Sequence, residues 1–192
     1  MWMEQHLKII ADIDNLLLTD LVNEFLQVDW TNAEFDWPKE RKFFINGRLC
    51  EFPFIVVSKK TPPSETKQKL LDCAKPIVEF LQSQRPNDIF IRGELAVLPP
   101  GAVLDKHIDP RWFHKHGHRL HIPVYTNDKA KLIFEDLEYH LPIGKIYEIN
   151  NRVLHTAKND GLENRLHLIF DVIDRDIWEH NSNTDRFAHT PE

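Results

Sequence analysis

Three kinds of side chain occur in this sequence at spacings that could do chemistry. His107-Ile108-Asp109 sets an imidazole and a carboxylate two residues apart. In an extended strand residues i and i+2 project to the same face, so these two can grip one ion. A second imidazole, His155, lies in Val153-Leu154-His155-Thr156-Ala157, which reads as a separate strand. Two imidazoles and one carboxylate, leaving open positions on the metal, are the ligand set that suits non-heme Fe(II) handling oxygen. Ten residues after His155 comes Arg165, in an alternating run from Asn164 to Phe170 that puts Arg165 and His167 on one face. An arginine facing inward needs an anion.

Each signal alone is weak. With 11 histidines in the chain, one His-x-Asp triplet arises by chance as an exposed pair at a strand end, and a lone buried histidine is more often a satisfied core residue than a ligand. The joint pattern defines a metal site with an anion anchor beside it.

Short strands must position these residues. The expected strands are Glu94 to Leu98, Val103 to His107, His118 to Thr126, Lys131 to Phe134, Lys145 to Ile149, Val153 to Lys158 and Asn164 to Ile173. Pro99-Pro100-Gly101, Asn127-Asp128, Pro142-Ile143-Gly144, Asn150-Asn151 and Asn159-Asp160-Gly161 mark turns between them. Seven or eight such strands point to a jelly roll, two antiparallel sheets closing into a squat barrel. Upstream, Leu21, Val22, Phe25 and Leu26 repeat near the helical period, with Thr19 or Asp20 as the cap. Cys50 to Ser58 reads as a further strand. Thr61-Pro62-Pro63-Ser64-Glu65 starts a second helix, in which Leu70, Leu71, Ala74, Ile77, Val78 and Leu81 share a face and Pro76 is a point of kinking or division. That stripe expects the outer face of the sheet as its partner. The aromatics Trp30, Phe35, Trp37, Phe43 and Phe44 either line a substrate mouth or cover the core edge.

At 192 residues the chain is long enough for one well-buried core and short for two, so residues 1–192 are read as a single domain. It has a helical and mixed part over 1–90, a jelly-roll core over 93–174 and a polar, mobile or loosely docked tail over 176–192. A composition 42% apolar and 28% charged is that of a soluble protein, and a net charge of -6 gives no electrostatic reason to bind nucleic acid or an anionic membrane. The first residues lack the basic end and long apolar run of a signal peptide, so the expected location is cytoplasmic, with Cys50 and Cys73 as reduced thiols. His114-Lys115-His116-Gly117-His118 reads as a solvated loop rather than a second metal site. Asn151, Trp112 and Tyr125 either contact substrate or serve as turn, cover and core residues.

Residues 93–174 resemble the aspartyl/asparaginyl β-hydroxylase-like branch of the Fe(II) and 2-oxoglutarate-dependent oxygenases. The matching phrases are Gly93-Glu94-Leu95-Ala96-Val97-Leu98-Pro99-Pro100-Gly101, His107, Arg119-Leu120-His121, Gly144-Lys145 before a strand, His155, and Arg165 ten residues beyond it. The resemblance implies a mainly β fold with flanking α-helices, a double-stranded β-helix. It implies His107 and His155 as iron ligands, Arg165 as partner of the 2-oxoglutarate C5 carboxylate, and Arg119 and His121 near the cosubstrate, at its C1 carboxylate. The animal aspartyl β-hydroxylases lack the carboxylate two residues after the first histidine. This chain has Asp109 there, as do most of the wider superfamily and its proline hydroxylases, and Asp109 completes the metal ligand set.

The function so implied is a dioxygenase that uses Fe(II), 2-oxoglutarate and O2 to hydroxylate an amino-acid side chain, in a peptide or protein or as the free amino acid. The alternative is a cupin-type metal-binding jelly roll without oxygenase activity, which the fold alone would permit.

Overall fold

The computed structural model describes residues 5–29, 64–109 and 112–182. The expected strand at 50–58, the aromatics between Trp30 and Phe44, Cys50 and the tail beyond Ser182 lie outside them.

Among the described residues eight strands build two facing antiparallel sheets. The larger contains β1 (Leu7–Asp12), β2 (Asp88–Leu98), β3 (His118–Tyr125), β6 (Lys145–Ile149) and β8 (Arg165–Asp174), in the order β1-β6-β3-β8-β2. The smaller contains β4 (Ala130–Phe134), β5 (Leu137–Tyr139) and β7 (His155–Asn159), in the order β5-β4-β7. The expected strand at 103–107 forms only two isolated bridges, Val103 with Lys158 and His107 with His155, which set it against the free edge of β7. The result is a double-stranded β-helix.

Every residue of β8 but the last is buried, because both of its faces are covered. Its register with β3 pairs Arg119 with Asp171, His121 with Ile169 and Pro123 with His167. Leu166, Leu168, Phe170 and Val172 therefore share the outer face with Leu120, Ile122 and Val124. That face packs on α1 (Thr19–Gln27) and α2 (Ser64–Gln84) through Leu21, Phe25, Leu70, Ile77 and Leu81, so the α2 stripe meets the sheet as its spacing requires. Pro76 sits inside α2, which continues through it. A smaller core fills one part of the barrel interior, with Leu98, Tyr147 and Ile149 from the large sheet against Leu132, Phe134 and Ala157 from the small one. The rest of the interior is polar, and there the candidate site lies.

Several expectations change. Leu7–Asp12, which is not among the expected strands, is a strand paired with β6. The cap upstream of α1 is Asp14, whose carboxylate accepts the Leu16 N–H at 2.9 Å and opens a 3-10 turn over Asn15–Leu18; neither Thr19 nor Asp20 caps. The segment 114–118 is no solvated loop, since Trp112–His116 form a short helix, α3, and His114 is buried. After β8, Arg175–Ser182 form α4, anchored by the buried Trp178, where a loose tail was expected. Gly101 supplies the positive φ, 72°, of the turn in which the Ala102 N–H reaches the Pro99 carbonyl at 3.1 Å. None of the described helices is long and apolar enough to cross a membrane.

Candidate metal centre

His107, Asp109 and His155 come together, each offering a ligand atom within 4.8 Å of the others. The His107–His155 bridge fixes the two imidazoles through reciprocal backbone hydrogen bonds, each N–H to the other's carbonyl at 2.9 Å. Their ring centroids stand 4.4 Å apart. The tautomers follow from the second ring nitrogens. His107 Nδ1 lies 2.7 Å from the Asp105 carbonyl and His155 Nδ1 2.8 Å from the Val153 carbonyl. A carbonyl only accepts, so each Nδ1 carries the proton and each Nε2 presents a bare lone pair. Burial holds His155 below the usual imidazole pKa, which keeps it neutral. Both Nε2 atoms face Asp109, His107 at 3.9 Å from Oδ1 and His155 at 3.9 Å from Oδ2. Two bare imidazole nitrogens and one buried carboxylate fit a divalent metal that prefers mixed nitrogen and oxygen ligands.

Arg119 and His121 occupy the interior face of β3. The Arg119 guanidinium forks onto Asp171, with Nε to Oδ1 at 2.7 Å and Nη2 to Oδ2 at 2.9 Å, and its Nη1 stands 2.6 Å from Asp109 Oδ2. His114 Nε2 lies 3.0 Å from the same Nη2 and 3.3 Å from Asp171 Oδ2. Burial opposes both charges, and the pairing overcomes it. The Arg119 pKa is driven up by Asp171 and Asp109, and that of Asp171 far down by Arg119 and His114. Next to them Arg92 pairs with Glu94 at 2.5 Å, where burial still pushes the Glu94 carboxyl up.

Arg165 contrasts with Arg119. It is 4% exposed, its Nε has no hydrogen-bond partner, and it takes part in none of the ion pairs among the described residues. Burial alone pulls its pKa down to about 10. Between the two arginines His121 and His167 meet Nδ1 to Nδ1 at 3.4 Å. Both are held well below the usual imidazole range, first by burial and then by the flanking arginine charges. His167 Nε2 is also unpartnered.

Of the residues left open by the sequence, Asn151 is buried and its carbonyl accepts the Asp109 N–H at 3.1 Å. The Tyr125 hydroxyl donates to Glu163 at 2.9 Å, away from the metal donors. Asp171 was not among the candidate residues, and His114, read as part of a solvated loop, is buried instead. The signal for Asp171 was the same alternation that flagged Arg165 and His167, continued two steps further along β8. His114 had none, because its burial depends on a helix docking against β8.

The fold is a jelly roll in which two histidines and an aspartate that could hold a metal ion meet at the open edge of the small sheet, with buried arginines behind them. The sequence profile of the aspartyl/asparaginyl β-hydroxylases matches residues 51–175, and the chain belongs to that family. No curated protein matches it. Among solved structures it is similar to AviO1 from Streptomyces viridochromogenes Tue57, with 13% identity, a TM-score of 0.53, and 88% of this chain and 90% of that one covered. That likeness is one of fold. The viral collagen prolyl hydroxylase vCPH from Paramecium Bursaria Chlorella virus-1, in its truncated form, aligns at 12% identity and a TM-score of 0.46 over 88% of this chain and 90% of its own. The nickel complex of the non-heme monooxygenase ThoJ aligns at 16% identity and 0.40, over 52% of this chain and only 50% of that one.

Proposed function

We propose that this chain is an Fe(II)- and 2-oxoglutarate-dependent dioxygenase that hydroxylates an amino-acid side chain, free or within a peptide or protein. One observation carries the proposal: Arg165 is a buried cation with no carboxylate partner among the described residues, on the strand that runs behind three metal-type donors. A charge left so is costly unless an anion joins it, and a planar guanidinium suits a carboxylate because it can offer two parallel N–H donors. A barrel that only held metal would have no use for that cation.

Each residue then has a task. His107 and His155, with their protons fixed on Nδ1, offer Nε2 to Fe(II), and Asp109 adds the anionic ligand. When bound, the iron and the keto acid supply the oxidising power that transfers one oxygen atom of O2 into a C–H bond, with CO2 and succinate as co-products. Arg165 takes the distal carboxylate of 2-oxoglutarate. His121 and His167, kept neutral by burial and by their arginine neighbours, line the interior face between Arg119 and Arg165 without adding charge. With the Arg119 fork taken up by Asp171, the expected contact to the C1 carboxylate passes to His121. The apolar cluster around Phe134, Tyr147 and Ile149 keeps water from the floor of the barrel, which protects an oxidising site from side reactions.

The test is a mass-spectrometric screen of amino acids and peptides incubated with the protein, Fe(II), 2-oxoglutarate and air. The expected result is succinate, formed slowly without substrate and faster with a substrate that gains the mass of one oxygen atom. If the iron-loaded protein neither binds 2-oxoglutarate nor forms succinate, the cupin-type reading replaces this one.

A further inference from the structure

Asp109 lies beyond the last bridged residue of its segment, since the backbone pairing of that edge ends at His107. The sheet therefore fixes His107 and His155 but not the carboxylate between them. Among the described residues the Asp109 main chain is held by one hydrogen bond, its N–H to the Asn151 carbonyl at 3.1 Å. The only cation within ion-pair distance of its side chain among the described residues is Arg119, at 2.6 Å from Oδ2. Arg119 is in turn the best-fixed side chain of the site. It sits directly across from Asp171 in the β3–β8 register, and its fork is closed on that residue's two oxygens. Its Nε and Nη2 are hydrogen-bonded to Asp171 and to the neighbouring His114 nitrogen, and its Nη1 faces Asp109 Oδ2 as an ion pair without a hydrogen bond.

We infer that Arg119, locked by Asp171, is a positioning residue for the metal: its Nη1 holds Asp109 Oδ2 on the His155 side, 3.9 Å from that imidazole's Nε2, and leaves Oδ1 facing His107 Nε2 at 3.9 Å. The order is a relay from a rigid strand to a loosely held ligand: β8 fixes Asp171, Asp171 fixes Arg119, and Arg119 fixes Asp109. Partners behind the ligands of metal sites typically account for about 10- to 100-fold in affinity. The inference rests on the metal-site part of the proposed function and not on oxygen chemistry.

The experiment is Co(II) binding by the full-length protein, without 2-oxoglutarate or turnover, followed by calorimetry and by the visible Co(II) spectrum, which responds to coordination number. Arg119→Gln and Asp171→Asn should each weaken Co(II) by about 10- to 100-fold and change the spectrum. Arg119→Lys, a point charge without the fork, should fall between parent and Arg119→Gln. In an Asp109→Ala background Arg119→Gln should add nothing, because its effect passes through the missing carboxylate. Circular dichroism and Tm show which variants are folded; Asp171→Asn and Arg119→Lys keep size and shape and so preserve the test should Arg119→Gln not fold. Parental Co(II) affinity in folded variants overturns the inference, as does equal weakening with and without Asp109. A parent protein that binds no Co(II) would overturn the metal centre itself along with it.

Discussion

His107 and His155 hold each other by two backbone hydrogen bonds of 2.9 Å, although 47 residues separate them in the chain. The pair closes the open edge of the small sheet, and both rings turn Nδ1 to a nearby carbonyl. Two of the three candidate ligands are thus set by hydrogen bonds to backbone, while the third depends on side chains. This division of labour decides how the site should respond to mutation.

Asp109→Ala should lower Fe(II) affinity strongly and activity by orders of magnitude, because it removes the only anionic donor of the three and leaves two neutral imidazoles. It also strips one of the two carboxylates from the buried Arg119. An iron titration against turnover checks it. Near-parental rates at saturating iron would remove Asp109 from the ligand set and leave His107 and His155 alone.

Arg165→Met should have opposite effects on stability and on binding. A buried cation with no carboxylate partner is a cost to the folded protein, so an apolar side chain of similar length should raise its stability by about 1–3 kcal/mol. The same change should weaken 2-oxoglutarate by a factor of hundreds or more, the consequence of removing one member of a buried charge pair at about 3–5 kcal/mol. Urea midpoints and calorimetry with 2-oxoglutarate read the two effects. Unchanged cosubstrate affinity would move the anchor elsewhere.

The strands that carry the site were legible because each has a local signature. Lys145–Ile149 agrees at both ends with its expected range, and β3, β4 and β8 agree to within a residue. What failed depended on contacts distant in sequence. Leu7–Asp12 becomes a strand only because β6 offers it an edge. Leu137–Tyr139 follows a two-residue turn made by Glu135 and Asp136, with Glu135 at φ 53°, where no glycine announces the positive φ. The same limit holds in the site. His107, Asp109, His155 and Arg165 stood out by type and spacing, whereas the fork between Arg119 and Asp171 is a cross-strand register that no local pattern displays. An inward arginine reads alike in sequence whether its partner is protein or ligand. Only the positions of the carboxylates separate Arg119 from Arg165.

Glu148 provides a stability test away from the metal. It is buried on the outer face of β6, where it meets Lys8 at 2.9 Å and His118 at 2.6 Å, with Arg152 also in its field. Burial alone would raise its pKa, but the hydrogen bonds and charges of His118 and Lys8 bring it down to about 2. A folded pKa below the unfolded value means that the stabilisation is fully present above about pH 4.5 and is lost as pH falls towards 2. Glu148→Gln should therefore cost about 1–3 kcal/mol at pH 6 and progressively less below pH 4.5. Urea unfolding of both proteins across that range is the measurement; a difference independent of pH would show that packing rather than charge is at stake.

The last prediction comes from the charge count of the barrel interior. Among the described residues Arg92, Arg119 and Arg165 supply three positive charges, and Glu94, Asp109 and Asp171 three negative ones when Glu94 is ionised, so the formal sum is zero. A divalent cation bound alone leaves this interior at +2, a dicarboxylate alone leaves it at -2, and the two together restore neutrality. In a partly desolvated site each excess is expensive, so metal and 2-oxoglutarate should bind cooperatively beyond the bonds they make to one another. By linkage each should raise the other's affinity by the same factor, with a coupling on the order of 1–3 kcal/mol. Calorimetry of 2-oxoglutarate with and without Co(II), and of Co(II) with and without 2-oxoglutarate, measures both arms under anaerobic conditions. Glutarate separates charge from chelation, since it keeps the two carboxylates and lacks the keto oxygen. A smaller but definite coupling with glutarate is the expected outcome. Glutarate binding indifferent to Co(II) would assign the whole coupling to chelation and leave the charge balance without a role.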